Sequence, residues 1–414
     1  MPSLTLTDGR YLLQGVDVLD ICQEYGAPLF VYDADNIRYK YEQMMMAFNG
    51  LPAKVKYPVK ALNNINILRY FKKLGAGLDT VSIQEVMLGL KAGFTPQEII
   101  FTPNCVSFDE IKAAVSLGVV INIDNIPMLE QFGHEYGDTV PCCIRFNPHL
   151  YGGGNNKIQV GHIDSKFGIS VYQQRHVQRI VKINNIRVTG LHVHTGSDIL
   201  DANVYLQGAN IMFDIAREFP GLEFIDFGSG FKVPYKEGDV TTDLFEVGEK
   251  LREAYAQFTQ DYGKEVELWF EPGKYLVSEC GYFFMAVNVI KPTPSAVFVG
   301  VDSGLNHFIR PMMYGGYHDL LNVSNPESAV SRTYTVVGYI CETDTFGWDR
   351  KMNEVREGDI ICLRNAGAYG YTMSSNYNSR LRPAEVLIVN GEAKLIRERE
   401  TFDDLLRGQT ELSF

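Results

Sequence analysis

From about residue 54 the chain alternates short apolar runs with amphipathic stretches. VKYPVK (55–60), GAGLDT (75–80), EIIFT (98–102), VVINID (119–124), CCIRFN (142–147), VTGLHVHT (188–195), LEFIDFG (222–228) and VELWFEPG (266–273) read as strands. Helical stretches separate most of them. INILRYFKKL (65–74) puts Ile65, Leu68, Phe71 and Leu74 on one face. SIQEVMLGLKAG (82–93) starts with the capping-box pair Ser82 and Glu85 and stops at Gly93. Eight strands alternating with helices over roughly 220 residues predict a (β/α)8 barrel, whereas an open doubly wound sheet more often has about five to seven strands. YGGGNNKIQVGHIDSKFG (151–168) interrupts the rhythm as a long loop, a length often given to function.

The pattern changes after about residue 275. YFFMAVNVI (282–290), SAVFVGV (295–301), TYTVVGYIC (333–341), DIICLRN (359–365) and AEVLIVNG (384–391) are β-type runs with little helix between them. They predict an antiparallel β-barrel or sandwich. PLFVYD (28–33) is one more strand from the N-terminal side. The expected division is 1–35 as strands of the β-domain, 36–273 as the barrel and 274–414 as the rest of the β-domain.

Composition narrows the function classes. The 414 residues include 38 basic and 50 acidic side chains, a net charge of −12, and 45% are hydrophobic. That is a globular composition whose sign argues against bulk nucleic-acid or anionic-membrane binding. No run reaches the roughly 18 to 20 apolar residues of a membrane span, and MPSLTLTDGRYLL lacks a secretory pattern. The seven cysteines form no CxxC pair, so reduced, mostly buried thiols in a cytoplasmic protein are expected.

Candidate chemistry gathers just after predicted strands, where barrel enzymes place their sites. Taken alone, Lys60 is a solvated lysine at a loop edge; desolvated at a barrel mouth, it becomes an imine-forming amine. His194 alone reads equally well as a core histidine. Gly228-Ser229-Gly230 follows the seventh strand and Glu271-Pro272-Gly273-Lys274 the eighth, the loops that hold phosphate in many barrels. A phosphate, an aldehyde and an aromatic ring together describe pyridoxal 5'-phosphate.

The motifs YPVKA, HVHTGS, DFGSGF, EPGK, RPMMYGGYH, CETDTF and NAGAYGYTMSSNYN occur in this order. The chain thereby resembles the pyridoxal-phosphate decarboxylases built from an alanine-racemase-like barrel and a β-domain, most closely the bacterial diaminopimelate decarboxylase family. The resemblance spans nearly the whole chain. It departs from the family at Lys274, where EPGR is usual, at Ser229, where GGG is usual, and in CETD, one residue shorter than C-E-S-x-D.

Carried over, the resemblance implies that Lys60 binds the cofactor covalently, His194 stacks on its ring and Ser197 lies near its phosphate. Gly228, Gly230 and the turn Glu271, Pro272, Gly273, Lys274 correspond to the phosphate loops, with Glu271 facing the pyridine nitrogen. A carboxylate there raises the nitrogen's pKa and makes the ring a better electron sink. Arg310, Tyr314, Glu342 and Lys274 match substrate-contacting positions, Tyr369 touches both cofactor and substrate, and Cys341 matches the proton donor. The implied reaction is decarboxylation of meso-2,6-diaminopimelate to L-lysine, the last step of lysine biosynthesis. Glu342 would take the distal ammonium and Arg310 the distal carboxylate in a forked pair. The alternative, a decarboxylase of ornithine or lysine in polyamine synthesis, has no distal carboxylate to recognise. A racemase would set an arginine against the ring nitrogen, and a non-catalytic cofactor carrier would not need the β-domain. The family also implies a homodimer whose sites combine barrel loops of one chain with CETD of the other.

Overall fold

The structure, a computed structural model, describes residues 4–150, 165–194 and 196–414. The expected loop at 151–168 lies outside the described residues up to 164. The chain forms two compact units: residues up to Tyr39 with Tyr235–Asp239 and Leu276–Phe414, and Lys40–Pro234 with Val240–Tyr275.

The second unit is a closed barrel of eight parallel strands. In order they are Ala53–Pro58, Gly77–Thr80, Ile99–Phe101, Val120–Ile123, Cys142–Asn147, Val188–Val193, Phe224–Asp226 and Glu267–Phe270. The eighth returns to the first through Leu268 beside Ala53, which closes the ring. A two-residue strand, Ile169–Ser170, is added beside the end of the fifth. The expected (β/α)8 architecture is therefore the observed one, with strands shorter than the apolar runs because each run ends in loop.

Helix starts follow from local chemistry. Asn64, Ser82, Ser107, Asn125, Asp201 and Asp243 each cap a helix by accepting a backbone N–H. Ser82 does so from Glu85, but the Glu85 carboxylate reaches back to the Val81 N–H rather than that of Ser82. Gly93 ends that helix in the left-handed conformation, as expected. The helix Ile65–Leu74 buries Ile67, Leu68 and Phe71 rather than the expected stripe through Ile65 and Leu74. Ile65 lies about 110° round from the centre of that buried face, at 3.6 residues per turn.

In the first unit, a nine-stranded sheet is built around the long strand Gly281–Pro292. That strand pairs antiparallel with Leu29–Asp33, Val297–Val301 and Ile360–Arg364. Leu29–Asp33 is buried on both faces. Leu29 and Val31 join a core with Tyr282, Phe284, Val386 and Ile388, while Phe30 stacks on Phe283 at 4.3 Å. A continuous apolar run is the sequence mark of such a strand. The sheet is mixed rather than purely antiparallel: Leu29–Asp33 runs parallel to Ala384–Val389, and Val297–Val301 to Ser331–Val337. Long connections permit those parallel neighbours, a choice the local pattern does not encode. The run TYTVVGYIC stops being a strand at Val337, and three strands went unforeseen: Leu320–Asn322, Thr345–Asn353 and Glu392–Arg397.

Candidate active site

Side chains on a strand alternate between barrel interior and exterior, so residues two apart share the interior. One interior layer is largely apolar: Ile100, Cys143, Phe224 and Trp269 pack together, with Phe224 stacked on Trp269 at 3.6 Å. The Lys56 ammonium lies over the Trp269 ring at 3.9 Å. Two residues further along these strands come Thr102, Arg145, Asp226 and Glu271, joined by Asp79 and His192. Here the interior turns from apolar to ionisable.

His192 Nε2 lies 3.4 Å from Glu271 Oε2, and their side chains are 1% and 8% exposed. His192, Asp226 and Glu271 offer ligand atoms within 4.8 Å of one another. Asp226, fully buried, accepts the Gly228 N–H at 2.8 Å. Asp226 Oδ2, Glu271 Oε1, His192 Nδ1 and Asp79 Oδ1 are buried with no hydrogen-bond partner among the described residues. Burial raises the Asp226 and Glu271 carboxyls, and their mutual repulsion adds to the rise at Asp226. Lys60 and Arg145 oppose the rise at Glu271. Asp79 is raised by burial and by Glu271, and burial brings Glu85 to about 7. Burial first, then the charges of Arg145 and Lys60, hold His192 and His194 neutral. The layer can thus receive a cationic or N–H-bearing group at the unpartnered Glu271 oxygen.

At the mouth, Lys60 sits in a single helical turn, Val59–Ala61, just past the first strand. Its ammonium is 4.0 Å from Asp79, with 46% of the side chain exposed. The desolvation anticipated for a lysine at a barrel mouth is therefore not present in the protein alone. His194 Nδ1 accepts the Ser229 N–H at 3.3 Å. Gly228 and Gly230 have positive φ, 61° and 104°. A Cβ at Gly228 would lie 2.5 Å from His194 Nδ1, and one at Gly230 would drive into the Gly196 carbonyl. Ser197 occupies the bend next to Gly196. The Glu271 N–H donates to the Gly228 carbonyl at 2.6 Å, and Pro272 and Gly273 lead into the short helix that carries Lys274. Lys274, 10% exposed, is paired with Asp198. The loops after strands six, seven and eight thus converge on a cradle walled by glycine backbone.

The remaining predicted residues belong to the β-rich unit. Arg310 opens the helix Arg310–Tyr314 and donates from Nη2 to the Tyr235 hydroxyl at 3.2 Å. Its guanidinium lies 5.6 Å from the Tyr235 ring, 5.6 Å from Tyr314 and 5.9 Å from Tyr369. Arg310 Nε is buried without a partner among the described residues. Cys341 and Glu342 are exposed; Asn378 donates to the Cys341 sulfur at 3.1 Å, and the Tyr377 hydroxyl donates to Glu342. Asp344 turns inward and accepts the Leu305 and Ile340 N–H groups at 2.6 and 2.9 Å, which anchors the shortened CETD turn. Five cysteines are buried; Cys105 and Cys341 are exposed. The sequence reading missed Asp79, Arg145, His192, Asp226, Tyr235, Tyr377 and Asn378. For the first four a signal existed: an ionisable residue at an interior position of an otherwise apolar strand.

Comparison with known proteins agrees with this geometry. Residues 34–278 match the family of the pyridoxal-dependent decarboxylase, pyridoxal binding domain. The chain is 37% identical to the diaminopimelate decarboxylase of Methanothermobacter thermautotrophicus, covering 99% of this chain and 97% of the relative. It is 32% identical to the diaminopimelate decarboxylase of Bacillus subtilis, covering 96% and 95%. The crystal structure of diaminopimelate decarboxylase from M. jannaschii superposes with a TM-score of 0.91 at 29% identity, covering 99% of this chain and 98% of that one. A barrel with a carboxylate-lined mouth and a separate β-rich unit, on a matching family sequence, defines a pyridoxal-phosphate-dependent carboxy-lyase. Within that class the chain belongs to the diaminopimelate decarboxylase family. The cofactor is pyridoxal 5'-phosphate, and the residues fit it: the unpartnered Glu271 oxygen suits a ring N–H, and the glycine-walled cradle suits a phosphate.

Proposed function

We propose that this enzyme removes one carboxylate of meso-2,6-diaminopimelate as carbon dioxide and yields L-lysine, the last step of lysine biosynthesis. The observation that carries the substrate is Arg310, a cation framed by three tyrosine rings with its Nε still unpartnered. A carboxylate that survives the reaction is what such a fork recognises. Ornithine or lysine would leave it without a partner, so the polyamine reading gains no support from this residue. Glu342 takes the distal ammonium, and Tyr314 and Tyr369 line the substrate.

When bound, the cofactor supplies an electron-withdrawing ring that accepts the electron pair left by the departing carboxylate. The protein's residues do the rest. Lys60 provides the amine that attaches the cofactor's aldehyde. Glu271 faces the pyridine nitrogen, and His194 lies against the ring. Ser197, Gly228, Gly230, Pro272, Gly273 and Lys274 surround the phosphate. With the Lys274 ammonium tied to Asp198, most of the distal carboxylate recognition falls to Arg310. Cys341 would return a proton to the carbon that loses the carboxylate, so that a C–H bond replaces the C–C bond broken as carbon dioxide leaves, with no oxidant or reductant required. The residue roles divide between the two units: Lys60, His194, Ser197, Gly228, Gly230 and Glu271–Lys274, which hold the cofactor, lie in Lys40–Pro234 with Val240–Tyr275, and Arg310, Cys341, Glu342 and Tyr369 lie in the β-rich unit.

A proton donor works best shielded from water, yet Cys341 is exposed in the single chain. We infer a homodimer in which barrel loops of one protomer meet the CETD segment of its partner, working in the cytoplasm, where thiols stay reduced. Among the described residues no helix is long and apolar enough to cross a membrane. Incubation with diaminopimelate, lysine and ornithine, following carbon dioxide and product chirality, tests the substrate; preference for lysine or ornithine would reject it. Inactive Lys60→Ala and Cys341→Ala dimers test the shared site when co-refolded. A statistical mixture holds about half heterodimers with one intact site each, so about a quarter of wild-type activity should return. No recovery, with heterodimers confirmed by differential tagging, places both residues in one protomer's site.

A further inference from the structure

Glu271 and Asp226 pose a problem of charge. Their carboxyl oxygens lie within 4.8 Å of each other, and both side chains are at least nine-tenths buried. Two carboxylates so placed cannot both be ionised, so one proton belongs to the pair. The surroundings are unequal. Lys60 and Arg145 favour the ionised form of Glu271, and the neutral His192 imidazole adds a contact through Nε2. Asp226 has Glu271 and Asp79 against it; the Gly228 N–H and the charges of Lys56 and Arg145 favour its ionised form, but burial and the two carboxylates outweigh them. Lys56, beside Asp226 in the apolar layer, is itself depressed to about 8 by burial. Tyr205 and Cys143 also face the pair, and burial keeps both protonated. The proton therefore rests on Asp226.

We propose that Asp226 is a positioning residue of the cofactor site: as a neutral carboxylic acid it donates from Oδ2 toward Glu271, leaving the Glu271 carboxylate ionised and free to face the pyridine nitrogen. The two buried oxygens without partners, Asp226 Oδ2 and Glu271 Oε1, have this explanation. The first carries the proton, and the second waits for the ring. Asp226 Oδ1 meanwhile accepts the Gly228 N–H, so one side chain sets both the ring's carboxylate partner and the start of the phosphate loop. The inference rests on the assignment of Glu271 to the pyridine nitrogen.

The test compares Asp226→Asn with Asp226→Leu. Asn reproduces the neutral acid, with an oxygen for Gly228 and a permanent N–H donor for Glu271. It should keep cofactor affinity and kcat within about threefold of wild type, whereas Leu should weaken both roughly 10- to 100-fold, the loss of a hydrogen bond to a charged acceptor. A second readout needs no cofactor. The infrared difference spectrum of the apoenzymes, wild type minus Asp226→Asn, should show a carboxylic-acid carbonyl stretch that moves in heavy water, the stretches of Asp79 and Glu85 being common to both proteins. If Asn is as damaging as Leu, or the difference spectrum holds no such band, the proposal is overturned. Glu271→Gln separates the two layers of argument. If it leaves cofactor affinity and turnover unchanged while the Asp226 band remains, the pyridine assignment has failed, and the positioning role falls with it.

Discussion

Arg310→Met removes the guanidinium while keeping much of the apolar stem. The side chain is half-buried, it donates to the Tyr235 hydroxyl at 3.2 Å, and three tyrosine rings lie within 5.9 Å. Losing that hydrogen bond costs the fold about 1 kcal/mol, and the methionine stem retains contact with the rings. The cost to catalysis is larger. A forked charge-assisted pair with a carboxylate, truncated on one side, costs roughly 2–5 kcal/mol. At about 1.4 kcal/mol per tenfold, kcat/KM for diaminopimelate should fall roughly 30- to 4,000-fold. Arg310→Lys keeps the charge but loses the fork, and should fall between the two. The assay is kcat/KM for diaminopimelate and for lysine, measured by released carbon dioxide, with thermal melting as a control for folding. Activity on lysine, if measurable, should change little. A wild type that prefers lysine, or a ratio that does not move in Arg310→Met, would refute the reasoning.

Gly230→Ala places a Cβ against the Gly196 carbonyl at a φ of 104°, so the phosphate cradle must open; strain of about 1–3 kcal/mol should appear as weaker cofactor binding by equilibrium titration. Cys341→Ala should retain the cofactor and its melting temperature, since Cys341 is exposed, while turnover falls roughly 10²–10⁴-fold and the one deuterium that enters each product from heavy water is no longer placed stereospecifically. Glu85→Gln should change stability in a pH-dependent way. Burial raises the folded Glu85 from 4.5 to about 7, so the wild type is fully stabilised below about pH 4.5 and loses that contribution as pH rises through 7. The variant should match wild type near pH 4.5 and melt higher at pH 8, by at most about 3 kcal/mol; an advantage that is constant with pH would contradict the burial argument.

Much of the fold is written locally. A (β/α)8 barrel joins each strand to the next through one helix, so a period-2 run followed by a capped period-3.6 run specifies the unit and its successor. The caps Asn64, Asp201 and Asp243 mark where the loops carrying Lys60, His194 and Gly230 end, so these loops follow from the order of strands and helices. The β-rich unit was less legible. Its partners are chosen across long connections, and nothing in PLFVYD says that it will lie between a strand near 282 and another near 386. The same holds for the site. Asp79, Arg145, His192, Asp226 and Glu271 sit on five different strands, and only barrel closure brings them within a few ångströms, where burial and repulsion decide which of them holds a proton. Tyr235 is 75 residues from Arg310, and no spacing rule links them. What chemistry each side chain can do is set by its covalent structure and so by the sequence. Which charge state it holds and which neighbour it faces depend on solvent exclusion and distance, and those exist only once the chain has folded.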